Sequence, residues 1–155
     1  MTNRATPVSA QSGVGLIEVL VAVLVLSIAF LGIAALQAMS MSTNNSAMAR
    51  SMATIDSYSI LDAMRADLAS ATGGSYNTTT PVKASACPAA GSTLATAQLN
   101  QWCTQLSHDL GAAATTTGGI SCSGSGECTI TITFDDSRAG VGGGSNQQVI
   151  TKAIL

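Results

Sequence analysis

The chain has 155 residues and a formal net charge of −2, with only 9% of its residues charged. So few lysines and arginines leave no basic patch to neutralise a run of phosphates, which excludes nucleic-acid binding as a main role. It is 46% hydrophobic but 3% aromatic, and the Gly, Ser, Thr and Ala of the second half place the apolar excess in an N-terminal run, predicting a membrane-anchored chain with a small, loop-rich head.

The first predicted element lies within "SGVGLIEVLVAVLVLSIAFLGIAALQ", Ser12 to Gln37. From Val19 to Leu36 the residues are apolar apart from Ser27, and a helix over them spans about 27 Å, enough to cross a bilayer. Arg4 and the initiating amine are the positive charges before it, so the N-terminus is expected on the cytoplasmic side and the rest exported. A removable secretory signal has an apolar core of about 7–15 residues ending near a small-x-small site; here the run is longer and carries Glu18 at its leading edge, and Ala47-Met48-Ala49, which fits that rule, lies far beyond it. A plain single-pass anchor explains the length but not Glu18, because an ionisable group at a membrane-length helix needs a partner.

The order Gly13, Val14-Gly15-Leu16-Ile17-Glu18, then unbroken apolar helix resembles the class III signal of type IV pilins and type II secretion pseudopilins. In those families a short leader ends in glycine and the fifth mature residue is glutamate. The resemblance implies cleavage between Gly13 and Val14 by a membrane prepilin peptidase, N-methylation of the new terminus Val14, and a role for Glu18 in assembly. The family usually has phenylalanine and threonine where this chain has Val14 and Gly15.

Beyond Leu36 no proline occurs until Pro81. Met41, Met48, Met52, Ile55, Tyr58, Leu61, Met64 and Leu68 recur at steps that predict one apolar helical stripe against a small sheet, with the helix ending near residues 69–72 before Gly73-Gly74. Such a helix from Val14 is about 80 Å long. Asp62 and Arg65 form an i, i+3 pair on the other face. "SYSILDAMRAD", Ser57 to Asp67, is similar to a block of PilV-type pilus modification proteins, which are minor type IV pilins.

Ser70 to Ala90 reads as a connecting loop. "TLATAQLNQWCTQLSHDLG", Thr93 to Gly111, predicts a second helix stopped by glycine, with Trp102 as a core anchor and His108 solvated. From Gly118 the period becomes two: a hairpin turns at Cys122-Ser-Gly-Ser-Gly-Glu-Cys128, with Ile130, Ile132 and Phe134 on one face and Thr129, Thr131 and Thr133 on the other. A loop over Gly140 to Ser145 leads to a last strand, Gln147 to Leu155. The order helix, loop with short helix, strand meander resembles a pilin head.

The four cysteines, Cys87, Cys103, Cys122 and Cys128, form no C-x-x-C pair. Their even number in a small head predicts disulfides in an oxidising compartment, against the alternatives of buried free thiols or a zinc site. Three connectivities are possible, and proximity favours Cys122 with Cys128 and Cys87 with Cys103.

"GVGGGS" lacks the lysine and hydroxyl residue of a phosphate-binding loop. Asp135 and Asp136 read as a solvated strand end rather than a calcium loop. Ser107, His108 and Asp109 are contiguous, which is no basis for a triad, and Asn77-Thr78-Thr79 matches a glycosylation acceptor by chance frequency. No catalytic residue, metal, cofactor or small-molecule substrate is expected.

The expected fold is α+β: leader 1–13, filament-core or membrane helix 14–38, amphipathic continuation 39–72, and head 73–155. The resemblance implies a minor pilin that primes type IV pilus assembly at or near the tip and supports adhesion and twitching motility. It would sit in the bacterial inner membrane first and the pilus later, beside other minor and major pilins and a tip adhesin. The alternatives are a minor pseudopilin of a type II secretion system and a single-pass anchored periplasmic binding protein.

Overall fold

The computed structural model describes residues 13, 15–139 and 142–155. Their layout is α+β: a long apolar N-terminal helix and a four-stranded antiparallel sheet on which its later turns pack, the arrangement expected of a pilin-like chain. The chain divides into two units, one up to Ala38 and the other Met39–Leu155.

Helix α1, Leu16–Ala66, contains no proline. It opens where the Glu18 N–H donates to the Gly15 carbonyl at 2.9 Å, with Glu18 in its first turn and Arg65 in its last, charges that oppose the helix dipole at each end. Within the first unit the run contains an 18-residue window of mean hydropathy 3.0, none of it buried. One helix is therefore long and apolar enough to span a membrane. Its Ser27 hydroxyl donates to the Val23 carbonyl at 2.7 Å, so that polar group needs no water.

In the second unit α1 ends at Asp67, whose φ of −127° and ψ of 54° leave the helical region. A short helix α2, Leu68–Thr72, follows. Gly74 closes it at φ +82°, with Ser75 N–H bonded to the Ser70 carbonyl and Gly74 N–H to the Ala71 carbonyl. That is a Schellman stop, where the left-handed residue is best a glycine. Strand β1, Val82–Lys83, lies in the segment expected to be all loop. Helix α3, Leu94–Leu110, starts at Thr93, whose hydroxyl accepts from the Thr96 N–H at 3.3 Å.

Strands β2, Thr117–Cys122, β3, Glu127–Phe134, and β4, Gln147–Ile154, complete a sheet in the order β1-β2-β3-β4. Ile120 faces Ile130, and Ile132 faces Val149. Ile130, Ile132 and Phe134 are buried, while Thr129, Thr131 and Thr133 alternate onto the other face. The core adds Ala53, Ile60, Leu61 and Met64 of α1, Trp102 and Leu106 of α3, and Tyr76 from the loop after α2.

The packing face of α1 differs from the expected stripe. Of that stripe only Leu61 and Met64 are buried; Met41, Met48, Ile55, Tyr58 and Leu68 are exposed and Met52 is half-buried. The face on the sheet runs instead through Ser46, Ala49, Ala53, Asp56, Ser57, Ile60 and Met64, which also obeys helical spacing. That face mixes small side chains with the fully buried Ile60 and Met64, so fit against the neighbouring elements, and not apolar character alone, selects it.

Gly118 shows the same constraint from the sheet side. A β-carbon there would sit 2.5 Å from Trp102 Cη2 and 2.7 Å from a Leu106 methyl. Gly118→Ala is therefore expected to destabilise the fold by about 1–3 kcal/mol through overpacking, measured as a lower denaturation midpoint with Trp102 fluorescence as the probe.

Candidate functional site

Gly13 is exposed and non-helical; Val14, the expected partner in cleavage and the site of N-methylation, lies outside the described residues. Glu18 stands in the first turn of α1, beside Val19, Ala22, Val23 and Leu26, which line a shallow apolar furrow with it. Leu16, Ile17, Leu20 and Leu24 around it are all exposed. Apolar side chains facing outward all round a helix are stable only in an apolar medium, lipid or other helices.

Within the second unit, Met41, Met48, Ile55 and Tyr58 recur at steps of seven and three on the side of α1 away from the sheet, each more than half exposed. They leave a row of apolar side chains exposed along that side of α1.

The opposite side of α1 carries polar groups that the sequence pattern alone does not explain. The Ser46 hydroxyl donates to Asp136 Oδ2 at 2.5 Å, and Arg50 reaches the Gly142 carbonyl at 3.1 Å and Asp136 at 3.6 Å. The Ser42 hydroxyl donates to the Arg138 carbonyl at 2.5 Å. Asp136, expected as part of a solvated strand end, is thus buried, because the β3–β4 connection folds back onto α1. Asp135 is the exposed member of the pair, and the Ser137 hydroxyl and main-chain N–H hold its carboxyl below the usual range.

Asp56 is fully buried and no hydrogen bond reaches either of its carboxylate oxygens. Burial first, and then the facing Asp109 carboxyl, push its pKa up to about 6, although Gln105 acts in the other direction. Tyr76, also fully buried, donates its hydroxyl to Asp67 Oδ2 at 3.2 Å, and the same oxygen lies against the side-chain amide of Gln98. Burial and the Asp67 carboxylate push its pKa up to about 12. Neither residue stood out in the sequence. The legible signal for Asp56 is its place one turn from Ala53 and Ile60, on the face of α1 that small residues mark as inner.

Both disulfides join the pairs that proximity favours, Cys87 with Cys103 and Cys122 with Cys128. Cys122 and Cys128 are cross-strand neighbours in the β2–β3 register; Ser123 N–H bonds the Glu127 carbonyl, so the cysteines occupy the close, non-hydrogen-bonded position. Cys87–Cys103 ties α3 to the loop after β1. In the chain-entropy account the two closures stabilise by about 3 kcal/mol for the longer loop and about 2 kcal/mol for the shorter.

His108 is solvated, with Nδ1 2.7 Å from Asp109 Oδ1, and Ser107 takes no part in that contact. Arg65 and Asp62 pair at 2.8 Å with both side chains well exposed, worth a few tenths of a kcal/mol, on the order of an ordinary helix-surface pair. Among the described residues no group of three His, Cys, Asp or Glu could hold a metal ion.

No protein-family model matches the chain, and no curated protein or solved structure does.

Removing the anchor of the β3–β4 connection tests the network around Asp136. Asp136→Ala is expected to free residues 135–139 and 142–146, seen as faster amide exchange there, and to lower stability by roughly 1–3 kcal/mol. Exchange in β2 and α3 should hardly change.

Proposed function

We propose that the chain is a structural subunit of a cell-surface filament, a minor pilin of a type IV pilus that acts in assembly rather than in chemistry. The observation that most supports this reading is Glu18 in the first turn of an apolar helix exposed on all sides, five residues after Gly13. A carboxylate at that place gains a partner if the chain is cut after Gly13. The new amine of Val14 stands four residues before Glu18 in the sequence and, between neighbouring helices, the amine of one subunit can meet the carboxylate of the next. A misplaced subunit would leave a charge buried without compensation at a cost of about 3–5 kcal/mol, so the pair selects register as well as stabilising it.

The exposed stripe of Met41, Met48, Ile55 and Tyr58 supports the same reading, since it offers the head side of α1 an apolar face for adjacent helices. Before assembly the apolar helix is held in the inner membrane. Extraction into a filament exchanges lipid for the flanks of other pilins, so burial is largely conserved while the head moves outward. Major and minor pilins and a tip adhesin are the partners this implies, with adhesion and twitching motility as the processes served. The disulfides fit an oxidising, exported head.

Two measurements test this. Intact mass in cells with prepilin peptidase should fall by the mass of residues 1–13, with N-methylation adding one methyl group, and should stay at full length in cells lacking the enzyme. An uncut chain in competent cells refutes the proposal in favour of a plain anchored protein. Glu18→Gln should leave insertion and cleavage intact while recovery of the subunit in sheared filaments drops at least tenfold, which corresponds to losing about 1.4 kcal/mol or more of docking free energy. Copurification with type II secretion pseudopilins instead of pilins would assign the subunit to that machine.

A further inference from the structure

The two edges of the sheet are finished differently. On the β2 side the outward main-chain groups are met: Gly118 pairs with Val82 of β1, and Ile120 is bonded by Thr78, whose N–H donates to its carbonyl and whose Oγ1 accepts from its N–H, both at 2.9 Å. The Asn77 side-chain amide clasps the N–H and the carbonyl of Cys122 at 2.6 and 3.0 Å. Strand β4 forms the other edge. The Leu155 N–H bonds the Gly126 carbonyl, so by antiparallel alternation Val149, Thr151 and Ala153 bond to β3, while Gln148, Ile150, Lys152 and Ile154 direct their N–H and carbonyl groups away from the sheet. Among the described residues nothing meets these groups; the Gln148 side chain turns back to Thr133 Oγ1 instead.

Neither a bulge, a proline nor shortness blunts this edge, since β4 pairs with β3 through eight consecutive residues. Ile150 and Ile154 are 57% and 69% exposed on its outer face. Lys152 stands between them, exposed and in no ion pair among the described residues. Toward the helices, Val149, Thr151 and Ala153 are half-buried, whereas their β3 partners Ile132, Ile130 and Cys128 are buried. The sheet is one strand short at β4.

We propose that β4 is the docking strand for an extended segment of another protein, added antiparallel at this edge, with apolar, acidic and apolar side chains at alternate positions opposite Ile154, Lys152 and Ile150. Lys152 decides the occupant. Pairing β4 with a second β4 so that both isoleucines are covered, about Thr151 or Lys152, sets the two Lys152 side chains diagonal or opposite to each other, and like charges so placed repel. Pairing about Ile150 separates the lysines but leaves Ile154 facing Asn146, outside the strand. An acid opposite Lys152 instead gives a favourable cross-strand pair. A hollow of about 400 Å³ over Thr129, Lys152 and Ile154 leaves room for the incoming side chains.

The probe is a blocked heptapeptide that alternates threonine with valine, glutamate and valine, added up to about 10 mM to the full chain in detergent micelles, with amide exchange read residue by residue by NMR. Exchange at Ile150, Lys152 and Ile154 should slow about tenfold, as for a millimolar Kd, while Val149, Thr151 and Ala153, already bonded to β3, stay unchanged. A peptide with lysine in place of glutamate should bind about threefold more weakly or worse, and Lys152→Glu should reverse that order. Ile150→Pro removes an outward N–H and no bond to β3, and should abolish the added protection. N-methylation of the peptide's glutamate and valine amides should do the same from the other side, and serves if Ile150→Pro does not fold. The proposal is overturned by absence of the alternating protection, by equal binding of the two peptides, by an order that Lys152→Glu leaves unreversed, or by protection that survives Ile150→Pro or N-methylation. It is overturned equally by concentration-dependent protection of the same amides in the chain alone, which would assign the edge to a second copy. None of these readouts involves cleavage after Gly13 or Glu18, so they fail separately from the filament reading.

Discussion

Trp102 is where α1, α3 and β2 are held to one geometry. Its indole N–H donates to the Asp56 main-chain carbonyl at 3.0 Å, using a second lone pair of an oxygen already inside the helix ladder. Its ring lies against the bare backbone of Gly118. Any side chain at Gly118 would push the indole away from α1, and any tilt of α3 would break the bond to the Asp56 carbonyl. The Leu106 contact on the same glycine, and the place of Cys103 one residue on from Trp102, depend on this seating.

The inward face of α1 carries Ala49, Ala53 and Ser57 beside Ile60 and Met64, and the polar groups it brings inside are satisfied in different ways. Ser57 donates to the Ala53 carbonyl of its own helix at 2.8 Å, and Ser46 is met by Asp136. Among the buried side chains of the described residues, Asp56 alone has no hydrogen bond at its side-chain oxygens, and for an acid in that position protonation is the cheapest solution. The buried aspartate and the exposed methionine stripe thus belong to one choice of inward face, which takes Ala53, Asp56, Ser57, Ile60 and Met64 inside and leaves Met41 and Met48 outside.

The apolar run up to Ala38 obeys another rule. It needs no tertiary partner within the chain to be helical, because a run without proline satisfies its own backbone in an apolar medium. What it lacks is an internal use for Glu18, and the filament reading rests on that mismatch between a charged group and its surroundings.

The α+β layout, the membrane-length helix, the hairpin with its alternating faces and the second helix with its glycine stop were all legible in the sequence. Each depends on local periodicity and on stop residues that act within a few positions of themselves: Thr129 to Phe134 alternate whatever lies nearby, and Gly74 closes a helix by its own backbone freedom. The inward face of α1 was not legible. The stripe through Met41, Met48 and Ile55 and the one through Ser46, Ala53 and Ile60 have the same helical period, and only the packing of the sheet, α3 and the β3–β4 connection chooses between them. Asp136 and Tyr76 were missed for a related reason, since a loop residue is buried by whatever the loop folds onto. Asp56 is the clearest case. Its identity is written in the sequence, but its raised pKa exists because the fold buries it first of all, and then because α3 brings Asp109 near it.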